Sequence, residues 1–325
     1  MSTHELQSAW QRRLGLGSLQ ANEAYRVFHG PAEAQGVLQN FAIDRYQDHF
    51  WVTQWEDAPL SAGALSQVRE QIIDFLRTKN AHSVVALGRP QKGVAPESEL
   101  WWGSAPEGRF CVQEQGAKFW IQLLKTRHPG LFLDHFPLRR WLQQNVKGLS
   151  VLNTFAYTGS LSVAAALGGA TEVTTLDLSK PTIQWAKENL RLNGFHEDAH
   201  RCLFGDVFEW LPKMAREKKC FDVVILDPPS FSHGNKGRFS TAKDLTKLHA
   251  AALELLAPEG YLITSINSAN VSWKKYETDL LAAISSKRMK FRIVSQIDQP
   301  ETFPTLFGDS MQRYLKGWIL QRISL

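Results

Sequence analysis

Four short segments hold residue types and spacings able to do chemistry. The most informative is Asp227-Pro228-Pro229-Ser230-Phe231, directly after the apolar run Phe221-Asp-Val-Val-Ile-Leu226. Two prolines remove two backbone donors and fix φ twice, so the carbonyls around them can only accept hydrogen bonds. With the Asp227 carboxylate they make a rigid cluster of acceptors, suited to an exocyclic amine or a sulfonium methyl donor. Phe231 offers a face on which a flat base could stack. Asp-Pro-Pro can also simply end a strand, but after so apolar a run the chemical reading is the stronger.

The second segment is Asn153-Thr-Phe155-Ala-Tyr157-Thr158-Gly159. Its one glycine permits a sharp turn before a helix. A dinucleotide site would want G-x-G-x-x-G to approach a pyrophosphate, so the loop argues for a nucleoside ligand without phosphates; a plain strand-to-helix turn is as good a reading of the loop alone. The third is Asp177, followed by Leu178, eighteen positions after Gly159. A carboxylate there can accept both hydroxyls of a ribose, with helix capping as the plainer alternative. The fourth is Phe204-Gly-Asp206-Val207, where Asp206 could read an adenine edge while Val207 packs on the ring. Gly-Asp is also an ordinary turn pair.

These segments need a frame, and from about Gly130 the chain supplies one. Leu149–Phe155 reads as a strand before an alanine-rich helix over Ser160–Leu167. Glu172–Asp177 leads to a helix capped by Ser179 and closed near Gly194. A short strand ends before Asp206, and the run ending at Asp227 is apolar enough to be buried on both faces. A helix over Leu245–Leu256 and strands at Tyr261–Ile266, Arg292–Gln296 and Leu315–Gln321 follow. Such alternation implies an α/β fold with a parallel, doubly wound sheet, which binds ligands at the carboxyl ends of its strands. The first third differs. It offers a helix near Ser8–Leu14, strands at Tyr25–His29 and Phe50–Trp55, and a helix over Ala64–Arg77. A Pro/Gly/Ser-rich loop from Gly88 to Gly108 then precedes a strand pair at Phe110–Glu114 and Lys118–Leu123. We read a smaller α+β domain over 1–125 and the doubly wound domain over 126–325.

Composition bounds the rest. With 43% hydrophobic and 21% charged residues, the 325-residue chain can bury a real core, which excludes disorder. The net charge of +5 is compatible with a polyanionic partner without requiring one. Cys111, Cys202 and Cys220 are odd in number and lack metal or disulfide spacing, and the histidines show no metal pattern. Without an apolar run of membrane length or a signal-like start, the chain is expected to be cytoplasmic and off the membrane. From Lys213 to Lys247 eight Lys/Arg face four Asp/Glu, a positive rim that suits phosphates as well as it suits a solvated face. Ser232 to Ser240 reads as a mobile lid, with His233 beside the pocket.

Taken in order, these segments resemble the class I S-adenosylmethionine (SAM)-dependent methyltransferases. The closer resemblance is to the bacterial large-subunit 23S ribosomal RNA methyltransferases, which include cytosine-C5 and guanine-N7 enzymes. Ala24-Tyr-Arg-Val-Phe28, Ala42-Ile-Asp-Arg-Tyr46, Glu114-Gln-Gly-Ala-Lys-Phe119 and Gly130-Leu-Phe-Leu-Asp-His-Phe-Pro-Leu-Arg139 carry it in the first part. Leu152–Gly159, Thr175-Leu-Asp-Leu-Ser179, Asn189-Leu-Arg-Leu-Asn-Gly194 and Asp227–Phe231 carry it in the second. The resemblance implies a Rossmann-like, mostly parallel seven-stranded sheet and SAM as cofactor. It implies that the methionine end lies by Phe155, Tyr157, Thr158 and Gly159 with Asp134 close by. The ribose would meet Asp177 and Leu178, the adenine Asp206 and Val207, and the methyl would point at Asp227, Pro228 and Pro229, with Phe231 on the acceptor.

Two departures sharpen it. Cytosine-C5 transfer needs a thiolate, which relatives place where this chain has Ile266-Asn267-Ser-Ala-Asn270, so a C5 enzyme is not expected. The connector and the Asp227–Phe231 motif resemble the guanine-N7 branch more closely, which implies a base nitrogen as acceptor, with Asn267 either lending a hydrogen bond or simply ending its strand. The roughly 20 residues before Asn22 are too few for the PUA-type RNA-binding domain of many relatives, a domain that the guanine-N7 branch lacks too; the first domain is a candidate for RNA or substrate recognition. The expected partner is RNA, 23S ribosomal RNA or a large-subunit precursor, with room for a homodimer. Competing readings are a protein or DNA amine as acceptor, a nicotinamide-dependent oxidoreductase, and a silent RNA-binding module.

Overall fold

A computed structural model describes residues 3–16, 23–55, 60–87, 97–196, 198–234, 237–268, 270–308 and 314–324. Two compact units divide the chain: Met1–Asp134 with Gln299–Gln312, and His135–Asp298 with Arg313–Leu325.

In the first unit, helix α1 (His4–Gly15) precedes a five-stranded sheet. Its strands are β1 (Ala24–His29), β2 (Phe41–Tyr46), β3 (His49–Gln54), β4 (Ser83–Leu87) and β5 (Ser98–Gly103), in that spatial order. The short α2 (Gly30–Glu33) leaves β1. Only β3 and β4 pair in parallel, and a parallel pair needs a crossover. Helix α3 (Ala62–Arg77) supplies it, capped by the Ser61 side chain and burying Val68, Ile72, Phe75 and Leu76 along one stripe. The pair expected near residue 110 is the hairpin β6 (Phe110–Glu114) and β7 (Ala117–Ile121).

Two sequence expectations need correction here. The long loop expected over 88–108 contains β5, which is held by antiparallel pairing with β4; 88–96 lie outside the described residues. The segment 299–312, expected in the second domain, belongs to the first unit. Arg13 Nη2 donates to the Thr302 carbonyl at 2.9 Å, and the Arg26 guanidinium stands 4.0 Å over the Phe303 ring. Both arginines are buried and both are neutralised, Arg13 by Glu33 and Arg26 by Asp44 at 2.7 and 3.0 Å. Paired in this way, buried charge can be tolerated.

The second unit is a seven-stranded sheet. Its strands are β8 (Ser150–Thr154), β9 (Glu172–Asp177), β10 (His200–Phe204), β11 (Phe221–Leu226), β14 (Leu256–Asn267), β15 (Lys290–Gln296) and β16 (Leu315–Ile323), with the hairpin β12 (Phe231–Gly234) and β13 (Gly237–Ser240) lying outside it. The order is β10-β9-β8-β11-β14-β16-β15, parallel except for β16, which runs antiparallel to both neighbours. Helices α4 (Phe136–Asn145), α5 (Ser160–Leu167) and α6 (Lys180–Leu192) pack in sequence, as do α7 (Val207–Arg216), α8 (Thr241–Leu253) and α9 (Trp273–Ser286). Strand order reverses between β8 and β11, the position at which open α/β sheets bind their ligands. The Pro258-Glu-Gly260 turn lies within β14 as an irregularity, with Glu259 at φ 60°.

His29 in the first unit and His249 in the second are deeply buried. Burial, aided in His29 by the charges of Arg26 and Arg13, lowers His29 and His249 to about 3. The folded chain then refuses protons that the unfolded chain accepts below about 6.5, so this part of the stability is complete above that pH and drains away on acidification. His249→Gln keeps a partner for Thr264 Oγ1, which lies 2.8 Å from Nε2. The drop in melting temperature between about pH 7.5 and about pH 5 should shrink in this variant; an unchanged drop would contradict the assignment.

Candidate functional site

The carboxyl ends of β8, β9, β10, β11 and β14 carry the residues singled out above. After β8 the chain enters the loop 155–159 through two non-glycine residues in the left-handed region, Phe155 at φ 52° and Tyr157 at φ 51°. Such backbone persists only where neighbours over-determine it. Here Ala156 N donates to Leu176 O (3.1 Å), Tyr157 N to Asp177 Oδ2 (2.8 Å), Gly159 N to Ala156 O (2.8 Å), and buried Asn189 Nδ2 to Thr158 O (2.9 Å). Gly159 closes the loop at φ 76°, and a Cβ there would stand 2.9 Å from that of Ala186 on α6. The single glycine thus lets the loop lie against a helix.

Asp177 is the hub of this arrangement. Besides Tyr157 N on Oδ2, its Oδ1 accepts from Ser179 N at 2.9 Å and Thr182 Oγ1 at 3.1 Å. The two readings offered by the sequence, helix start and ligand carboxylate, are compatible: three protein donors leave capacity on a carboxylate with about four lone-pair sites. Leu178 beside it is half-buried. Gly205 N donates to Asp177 O at 3.0 Å, tying in the next strand end. Asp206 is buried and caps α7 by accepting from Phe208 N at 2.9 Å; Val207 is buried in the core.

Asp227 follows β11. Parallel pairing sets Leu226 opposite Thr264, which brings Asp227 beside Ser265 of β14. Ser265 Oγ donates to Asp227 Oδ1 at 2.7 Å, and His135 Nε2 lies 3.0 Å from Oδ2. Burial alone would raise this carboxyl; the His135 ring, with the hydrogen bonds from His135 and Ser265, outweighs it and holds Asp227 below the usual carboxylate range. Pro228 is buried and Pro229 exposed. Phe231 opens the hairpin with 48% of its surface exposed. Thr154 Oγ1 donates to Ile225 O at 2.8 Å, locking the ends of β8 and β11 together.

Where a lid loop was expected, an antiparallel hairpin stands, with Phe231 opposite Ser240 and Gly234 opposite Gly237. Its root is fixed by Phe239, a buried ring 6.0 Å from Phe155 and 5.3 Å from Phe208. The side chain of His233 lies outside the described residues. Asn267 is exposed at the end of β14, where its carbonyl accepts from Ser230 Oγ at 3.3 Å. Asp134 is buried in the turn Leu133–His135 as the last residue of the first unit's main segment. His135 and Ser265 are not among the residues the sequence singles out, although His135 lies in the connector Gly130–Arg139 that carries the resemblance.

Among the described residues no group of three or more His, Cys, Asp and Glu side chains could hold a metal, and no helix is long and apolar enough to cross a membrane. The carboxyl ends of the strands bring together two carboxylates at successive strand ends, a braced loop, and an acceptor cluster at the reversal of strand order, a set that suits a nucleoside without phosphates. A nucleotide with a pyrophosphate would find one glycine where three are needed; SAM, an uncharged nucleoside joined to a methionine, fits this donor set.

Such a sheet and site define the SAM-dependent methyltransferase class. The profile of the S-adenosylmethionine-dependent methyltransferase family matches residues 25–313, and the chain belongs to that family. It is 30% identical over 322 residues to the Bacillus subtilis (strain 168) protein YwbD, provisionally named a ribosomal RNA large subunit methyltransferase, covering 98% of this chain and 79% of that one. It is 33% identical over 292 residues to the ribosomal RNA large subunit methyltransferase K/L of Aeromonas salmonicida (strain A449), covering 86% of this chain and 38% of that protein. Among solved structures, SMU.776, a methyltransferase candidate crystallised with SAH, superposes with a TM-score of 0.87 at 27% identity, covering 98% of this chain and 80% of that one. The chain is a SAM-dependent methyltransferase.

Proposed function

We propose that this enzyme methylates a base nitrogen of ribosomal RNA, with guanine N7 as the atom the site suits best. When bound, SAM supplies an electrophilic methyl group on a sulfonium, so the protein's task is alignment. Asp177 and Leu178 would hold the ribose; Asp206 and Val207 the adenine; Phe155, Tyr157, Thr158 and Gly159, with Asp134, the methionine end. Asp227 and the carbonyls around Pro228 and Pro229 would orient the acceptor base, and Phe231 would stack on it.

The observation that carries the choice of atom is the state of Asp227. A carboxylate held below its usual range by His135 and Ser265 is a good acceptor and a poor base. It suits a nucleophile that brings a lone pair and has no proton to lose, as guanine N7 does. Cytosine-C5 chemistry is disfavoured by where the thiols lie. Cys220 precedes β11 while Asp227 follows it, a strand length of about 20 Å away, and Cys202 sits on β10, three strands from β11. The names of the two relatives support ribosomal RNA as the acceptor. Mass mapping of ribosomal RNA from cells with and without the protein tests this: one 7-methylguanosine should vanish with the gene, and an unchanged map would overturn the reading.

A further inference from the structure

We propose that His135 is a positioning residue for methyl transfer, clamping the Asp227 carboxylate against Ser265 so that one edge of it stays turned toward the acceptor. The proposal rests on the assignment of Asp227 to the acceptor side, given above. Two arms reach the carboxylate from separate elements: His135 Nε2 from the start of α4, 3.0 Å from Oδ2, and Ser265 Oγ from β14, 2.7 Å from Oδ1. Each oxygen is therefore tethered, and the carboxylate cannot rotate about χ2 without losing a charge-assisted bond.

His135 occupies the N-cap position of α4, where a side chain ordinarily bonds the helix amides, yet it makes no such capping bond. Its imidazole is given to Asp227 instead. The histidine side chain is 7% exposed and the Asp227 side chain 24%, so the pair is sealed on the His135 side and open at the carboxylate. Tyr276 of α9 is pushed up by burial, with the Asp227 charge adding to the rise, and so stays neutral beside the pair. The clamp moves no proton; it fixes a rotamer and keeps the carboxylate ionised.

Two readouts test the clamp in the full-length chain, using His135→Ala and His135→Gln, the latter keeping an N–H donor. By carbon-13 NMR, Asp227 should titrate below the ordinary carboxylate range in the wild type and move up in His135→Ala, because burial is then less opposed. In methyl transfer to RNA, His135→Ala should lose about a hundredfold in kcat with the KM for SAM unchanged within about threefold, and the acid limb of its pH profile should shift upward. His135→Gln should recover a large part of the rate. An Asp227 titration identical in wild type and His135→Ala, or a loss expressed in KM for SAM, would overturn the clamp. A wild-type enzyme that methylates no RNA would instead overturn the proposed function, and the NMR comparison would still decide the clamp.

Discussion

Asp227→Ala should abolish methyl transfer, with kcat falling by about a thousandfold or more, while SAM affinity changes little. The expectation follows from where the carboxylate stands: beyond β11, at the reversal of strand order, with its orientation fixed by His135 and Ser265. Deleting it leaves the acceptor base without its main charged partner and two protein donors without their acceptor. That second loss also costs stability, on the order of 1–3 kcal/mol. Asp227→Asn therefore belongs beside it, since it keeps the shape and one acceptor oxygen. Both should be nearly inactive, and only the alanine variant should melt clearly earlier. Wild-type turnover in Asp227→Asn would show that the acceptor is held elsewhere.

The second large effect is expected at Asp177. Its carboxylate accepts from Tyr157 N, Ser179 N and Thr182 Oγ1, so it braces the strained loop as well as serving the ribose site proposed above. Asp177→Ala removes charged hydrogen bonds to the hydroxyls, each about 1.5–3 kcal/mol, and frees Tyr157 from its left-handed conformation. Together these should weaken SAM and SAH binding by about a hundredfold or more, read by calorimetry. Asp177→Asn, which can still accept from Tyr157 N, should fall between. An affinity unchanged in Asp177→Ala would remove Asp177 from the cofactor site.

What the sequence made legible follows from range. The apolar run 221–226, the Ser179 cap, the positive-φ Gly159 and the doubly prolyl strand end are local signals, and each stands where its residue types require. Strands β5 and β2 were harder: β5 sits in a polar, glycine-flanked stretch and is held by pairing with β4, a contact no local pattern encodes. The attachment of 299–312 to the first unit depends on Arg13 and Arg26, nearly three hundred residues upstream. His135 and Ser265 were invisible for the same reason. A histidine at the start of a helix and a serine in a strand carry no chemistry alone; the register of β11 against β14 and the placement of α4 bring them to Asp227.

On the function proposed above, the carboxyl ends of β8 to β14 take up SAM and deliver its methyl group to an RNA base. The most direct measurement is incubation of the purified enzyme with methyl-tritiated SAM and separate pools of unmodified ribosomal RNA, DNA and protein, followed by nucleoside chromatography of the labelled pool. The label should enter RNA and co-migrate with 7-methylguanosine, and Asp227→Asn should leave all three pools unlabelled. Label in the DNA or protein pool, or in RNA at 5-methylcytidine, would contradict the account.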